Sequence, residues 1–146
     1  ESIRKLVEQQ FTIGKMIIKA GLVPIIEPEV DIYSKDKQKS EDLLMVELKK
    51  QLALLNPEDK VMFKLSIPST PNFYTELQND PHVVRVVALS GGYTQDEATK
   101  LLVKNNGLIA SFSRALAQDL HVQQSNAEFD TMLATSIKKI YAASIS

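Results

Sequence analysis

Lys64 stands inside the apolar run Val61-Met62-Phe63-Lys64-Leu65-Ser66-Ile67. An ammonium is costly in such a run unless it has a partner or a task. Other strand-like runs end in Glu27-Pro28-Glu29, Ser90-Gly91-Gly92 and Ser113-Arg114. An amine, a carboxylate pair and two anion-favouring turns point to Schiff-base chemistry on a phosphorylated sugar. A free lysine has a pKa near 10.4, so a usable amine at pH 7 needs its ammonium destabilised by roughly 3–5 kcal/mol. The amine then attacks a ketone, and the resulting iminium accepts electrons from a breaking bond. Glu27 and Glu29 lie two apart and share a strand face. One of them could shuttle protons while the other orients Lys64. Gly91 and Gly92 let backbone amides turn toward an anion beside Ser90. Ser113 and Arg114 add a hydroxyl and a guanidinium. Each signal alone has a plainer reading: a snorkelling lysine, solvated glutamates, an ordinary glycine turn. Their joint placement at successive strand ends favours chemistry.

The elements that must position these groups alternate along the chain. Residues 2–19 read as a helix with a stripe of Ile3, Val7, Gln10, Gly14 and Ile17, stopped at Gly21. Strand-like runs follow at 22–27, 61–67, 83–89 and 108–112. Between them lie a helix over about 35–55 with Leu44, Leu48, Leu52 and Leu55 on its apolar face, and a short helix opened by Thr70-Pro71 with Phe73 and Leu77 inward. Thr94-x-x-Glu97 and Ser125-x-x-Glu128 are capping boxes opening helices at 95–104 and after 125. The last helix is expected to turn Phe129, Leu133, Ile137, Ile140 and Tyr141 to packing. Four βα units suit a parallel sheet, either doubly wound or part of a (β/α)8 TIM barrel, which takes ~250 residues in full. Strand parity favours the barrel. Val61, Phe63, Leu65 and Ile67 would pack under helices, and Met62, Lys64 and Ser66 would line an interior with Glu27 and Glu29. The third strand is expected to send Val84, Val86, Ala88 and Ser90 to that interior, leaving Arg85 as a structural or edge residue.

Composition narrows the function classes. The chain has 146 residues, 44% hydrophobic and 24% charged, with net charge −1. This excludes the basic field of a nucleic-acid binder. No run reaches the roughly 18 apolar residues of a membrane span. There is no Cys, and His82 and His121 are scattered, so no metal site is expected. A cytoplasmic setting fits the lack of cysteine. The chain starts at Glu1, already inside an amphipathic pattern, and reads as the later part of something longer.

Four strings carry a resemblance: Leu22-Val-Pro-Ile-Ile-Glu-Pro-Glu-Val30, Val61-Met-Phe-Lys-Leu-Ser-Ile-Pro68, Val87-Ala-Leu-Ser-Gly-Gly-Tyr93 and Leu108-Ile-Ala-Ser-Phe-Ser-Arg-Ala115. In order and spacing they resemble the C-terminal half of a class I fructose-bisphosphate aldolase of bacterial type. The resemblance implies that residues 1–146 are strands five to eight of the barrel with their helices, the N-terminal half-barrel being absent. It implies Lys64 as the Schiff-base lysine, Glu27 as proton shuttle and Glu29 as the neighbouring acid. Ser90, Gly91, Gly92, Ser113 and Arg114 are the implied phosphate binders, and neither cofactor nor metal is implied. The implied reaction is reversible cleavage of fructose 1,6-bisphosphate to dihydroxyacetone phosphate and glyceraldehyde 3-phosphate. Two other readings stay open: a non-catalytic sugar-phosphate-binding or assembly module, and a Schiff-base aldolase for another sugar phosphate. Half a barrel has open edges and a bare apolar face, so the isolated segment is expected to lack turnover and to pair as a half-barrel dimer or other homo-oligomer.

Overall fold

A computed structural model describes residues Glu1–Ser146. Helix α1 (Ser2–Lys19) is followed by β1 (Ile25–Ile26), α2 (Lys37–Leu52), β2 (Val61–Ser66), α3 (Thr75–Gln78), β3 (Val83–Leu89), α4 (Gln95–Leu102), β4 (Ile109–Ala110), α5 (Arg114–Ala117) and α6 (Asn126–Ser144). The four strands form one sheet in sequential order, every neighbour parallel. Nothing reverses that order, and reversal is the feature that defines a doubly wound sheet. No helix is long and apolar enough to cross a membrane.

Local chemistry sets the element ends. Gly21, at φ +82°, closes α1 in a Schellman motif: its N–H bonds Ile18 O at 2.8 Å, and Leu22 N–H bonds Ile17 O at 3.2 Å. Both expected capping boxes form, Thr94 with Glu97 and Ser125 with Glu128. Hydrogen bonds from the capping residues hold both glutamate carboxyls below their usual value of 4.5. Since these folded-state values are depressed, the caps contribute fully above the unfolded value and weaken as pH falls through the folded one.

Several elements are shorter than the sequence predicts. Strand β1 is confined between Pro24 and Pro28, which have no N–H to give a ladder. Helix α3 does not open at Thr70-Pro71. Asn72 takes φ 61° and exchanges hydrogen bonds with the Asn105–Asn106 turn, so the helix waits until Thr75. Thr70 bonds Gln38 instead of capping.

The core lies between the helices and one sheet face. Val61, Phe63, Leu65 and Ile67 are buried there, as predicted, against Leu44, Leu48 and Leu52 of α2. From α1 the buried residues are Val7, Phe11 and Gly14. Phe11 was outside the predicted stripe, yet its ring stands 6.2 Å from that of Phe63. Helix α6 also sits otherwise than predicted. Small residues, Ser136 and Ala143, are buried beside the partly buried Ile140, while Phe129, Ile137 and Tyr141 are exposed. Small side chains bring α6 close enough for Ser144 Oγ to accept the Ala110 N–H at 3.1 Å, which occupies part of the β4 edge.

The third strand corrects the predicted parity. Val61 pairs with Val83, but Met62 pairs with Arg85, so one extra residue, Val84, is bulged out. Every later side chain changes face. Val86 and Ala88 enter the helix-side core, and Arg85, Val87 and Leu89 join the face of Met62 and Lys64. Arg85 is therefore neither an edge nor a core-side residue. That second face is bare: Val23, Ile25 and Val84 are 48%, 54% and 54% exposed.

A buried ion pair that no periodicity signals fixes the exit of β2. Lys37 pairs with Glu41 one helical turn on, and Glu41 is wholly buried. Lys37 Nζ also donates to Ile67 O at 2.8 Å and Ser69 Oγ at 3.1 Å, and Ser69 N–H donates to Glu41 Oε2 at 3.1 Å. Tyr74 donates to Ser66 O at 3.3 Å, and burial, then the Glu41 charge, push its hydroxyl pKa well up. Breaking such a pair leaves a buried charge without compensation. Glu41→Leu is expected to lower stability by about 3–5 kcal/mol, and adding Lys37→Met to restore much of it. Urea unfolding midpoints of the single and double variants check this.

Candidate functional site

The β1–β2 ladder pairs Ile25 with Met62 and Ile26 with Phe63. The next step along both strands sets Glu27 beside Lys64. Their Oε1 and Nζ atoms form an ion pair at 2.7 Å, with the side chains 44% and 28% exposed. Water still reaches both groups, so the pair adds little to stability. Its importance is positional: a carboxylate in contact with a lysine nitrogen can take or return its proton directly.

One row higher, Ser66 clips the β1 exit in place. Its hydroxyl accepts the Val30 N–H at 2.9 Å and donates to Val30 O at 2.7 Å. The Glu27-Pro28-Glu29 segment is thereby held against β2 at both ends. Sequence reasoning placed Ser66 on the correct face without assigning it this bond.

Beyond β3 the chain reverses over Ser90-Gly91-Gly92-Tyr93, closed by Tyr93 N–H to Ser90 O at 3.0 Å. Gly91 and Gly92 take φ +61° and +111°, conformations that strain any residue with a Cβ. Their N–H groups donate to nothing within the chain, nor do the hydroxyls of Ser90 and Ser113 or the Arg114 guanidinium. Ser113 precedes α5 without capping it.

These groups meet in one cavity of about 90 Å³, lined by Glu27, Glu29, Lys64, Leu89, Ser90, Gly91, Ser111, Ser113 and Arg114. All the predicted site residues line it except Gly92, which lies against Ile32 and Tyr33. Leu89 and Ser111 are the lining residues that sequence reasoning missed; the β3 bulge turns Leu89 to the lysine face. The signal for Ser111 was parity: Ile109 pairs with Val87 on the lysine face, and Ser111 is two residues further. The carboxylates stand on the β1 side, the lysine in the middle, and the free donors toward β3 and β4. The cavity is well short of the ~300–1,000 Å³ of a typical ligand pocket.

Residues outside the cavity have other settings. His82 is half-buried with Nδ1 3.1 Å from Asp59 O, and His121 is exposed. No three His, Asp or Glu side chains gather in a manner suited to a metal ion. Tyr141, expected to pack, instead lines an apolar groove of about 460 Å³ beside β4 with Ile109, Phe112, Leu116, Ile137 and Ile140.

No protein-family model matches the chain. It is 59% identical over 145 residues to a protein of Clostridium acetobutylicum described as fructose-bisphosphate aldolase class 1. The match takes in 99% of this chain and 49% of that protein, so the chain spans about half the length of the curated relative it matches. The resemblance carried by the four strand-end strings thus extends through the helices between them.

Removing the Ser66 clip tests its part in this geometry. Ser66→Ala leaves the Val30 amide without its acceptor and is expected to cost about 1–3 kcal/mol. Hydrogen exchange at the Val30 amide should quicken beyond what the global stability change explains.

Proposed function

We propose that this chain supplies the Schiff-base wall of a class I fructose-bisphosphate aldolase. In this reading residues 1–146 are the last four βα units of a (β/α)8 barrel. Three features support the barrel reading: sequential parallel order, helices on one face with the other bare, and polar groups gathered at C-terminal strand ends, where barrel enzymes keep their sites. The bare face and the β4–α6 groove are the surfaces on which the remaining barrel would close.

The observation that carries the activity is the single cavity in which Lys64 touches a carboxylate and faces a set of unpaired anion donors. A substrate phosphate would accept from Ser90, the Gly91 amide, Ser113 and Arg114, leaving the ketone carbon over Lys64 Nζ. Gly92 would serve the turn rather than the anion. The lysine nitrogen adds to that carbon, Glu27 moves the proton that lets hydroxide leave as water, and an iminium results. When the sugar C3–C4 bond breaks, its electron pair moves into the iminium and gives an enamine, while the C4 hydroxyl gives its proton to a cavity carboxylate and C4 with its substituents leaves as an aldehyde. Protonation of the enamine and hydrolysis by water free dihydroxyacetone phosphate and return Lys64. Glu29, one row above, is the neighbouring acid.

Borohydride reduction of the intact protein with dihydroxyacetone phosphate tests this reading. A stable adduct is expected on Lys64, absent in Lys64→Met and formed ~10²–10⁴-fold more slowly in Glu27→Gln. Phosphate binding to the cavity with no adduct would instead mark a non-catalytic sugar-phosphate module. The isolated 146-residue chain is expected to associate through its bare face and to lack turnover. Sedimentation velocity across a concentration series would refute the association by showing a stable 16.3 kDa monomer.

A further inference from the structure

The carboxylate-bearing segment after β1 and the glycine turn after β3 are separate in sequence, and β2 lies between them in the sheet. They nevertheless touch, through a residue that no chemical motif marks. Ile32 is 9% exposed, and its Cγ2 methyl lies 2.7 Å from where a Cβ on Gly91 would stand. Its Cδ1 lies 3.6 Å from the corresponding point on Gly92. Glu29 Oε1 is 3.8 Å from the same Gly91 position. One isoleucine and one carboxylate of the β1 exit therefore rest on the turn that offers free amides to an anion.

We infer that Ile32 is a positioning residue that couples anion binding at the Ser90–Gly92 turn to the placement of Glu27 and Glu29 beside Lys64. The physical basis is close packing. Both glycines hold positive φ, and the space a side chain would fill at Gly91 is taken by the Ile32 methyl. An anion that accepts the Gly91 amide orders the turn, and an ordered turn gives Ile32 a fixed seat. The Ser66 clip on Val30 carries that constraint two residues back, to the segment whose Glu27 touches Lys64. Without a bound anion the segment is held only by the Ser66 bonds and the Ile32 contact. A phosphate bound at one end of the cavity thus sets the proton-transfer group at the other. The inference rests on the Schiff-base reading for its consequence in chemistry, but the mechanical coupling can be read independently of it.

The coupling is testable in the intact protein with two fragments in place of one substrate: dihydroxyacetone, which carries the ketone, and inorganic phosphate, which carries the anion. Two readouts are needed, the rate of borohydride-trapped labelling of Lys64 and hydrogen exchange of the 27–34 amides. In the parent protein phosphate should speed labelling by at least about 5-fold, the lower range of ordinary coupling between sites, and should slow exchange of the segment. Ile32→Ala should bind phosphate yet lose both responses. Ile32→Val keeps a γ-methyl against Gly91 and should keep both; this separates the seat from a general loss of stability. Absence of labelling in the parent with the exchange response intact would overturn the Schiff-base reading and leave the coupling standing. Labelling without any phosphate response in rate or exchange, failure of the parent to bind phosphate, or retention of both responses in Ile32→Ala would overturn the coupling.

Discussion

The site depends on the register between β1 and β2. A parallel ladder that pairs Ile25 with Met62 leaves only one place for Glu27, beside Lys64. A slip of one residue would send both carboxylates into the helix-side core and bring Pro28 to the lysine. The register is held from several directions. Ile26 and Phe63 are buried on the opposite face. Pro24 O accepts the Met62 N–H at 2.9 Å. Ser66 clips Val30 above. The ionic contact at the centre is partly solvated and contributes little to holding the ladder. Apolar burial and the Ser66 hydrogen bonds around it set its geometry.

The same separation of tasks recurs at the exit of β2. The fully buried charge in this chain is Glu41, which touches neither Lys64 nor the cavity. It binds Lys37 and the Ser69 amide, and Lys37 holds Ile67 O. A buried ion pair is weak as a source of stability and strong as a constraint, because each partner is costly to leave unpaired. Here it stops the strand immediately beyond Ser66. The cavity groups, by contrast, keep unpaired donors and partial solvent exposure. Unsatisfied donors of this kind are what the proposed anion binding requires.

Much of this was legible in the sequence where a single residue type decides the outcome. Gly21, the two capping boxes and the α2 leucines each follow from local rules, and the alternation around Lys64 placed it on the open face. The face change in the third strand was missed; it is not legible in the sequence, because a bulge at Val84 has no signature between valines and the Val, Ala and Leu positions suit either face. Ser90 reached the cavity in spite of that error, because the turn at Gly91 redirects the chain after the strand ends. Arg85 was assigned away from the lysine face by the same miscount. Lys37, Glu41 and Ile32 were invisible for another reason. Their roles come from contacts some 28 to 59 residues away, which periodicity within one element cannot report.

Charge limits what this cavity can hold unaided. Glu27 and Glu29 balance Lys64 and Arg114, so the cavity lining carries no net formal charge when all four are ionised. A phosphate monoester adds close to two negative charges. Hydroxyls and amides can donate hydrogen bonds to it, but they do not neutralise it, and Glu29 stands near the turn where it would bind. In water the excess would be screened. Beneath a second wall that excludes water, opposite charges gain and like charges lose far more energy. A second phosphate, as on the proposed bisphosphate substrate, would double the excess. On the proposed aldolase reading, a surface closing over this face would be cationic where it meets the phosphates and apolar where it meets Ile25 and Val84. It would also give Arg85, which has no ion-pair partner in this chain, either a carboxylate or a path to solvent.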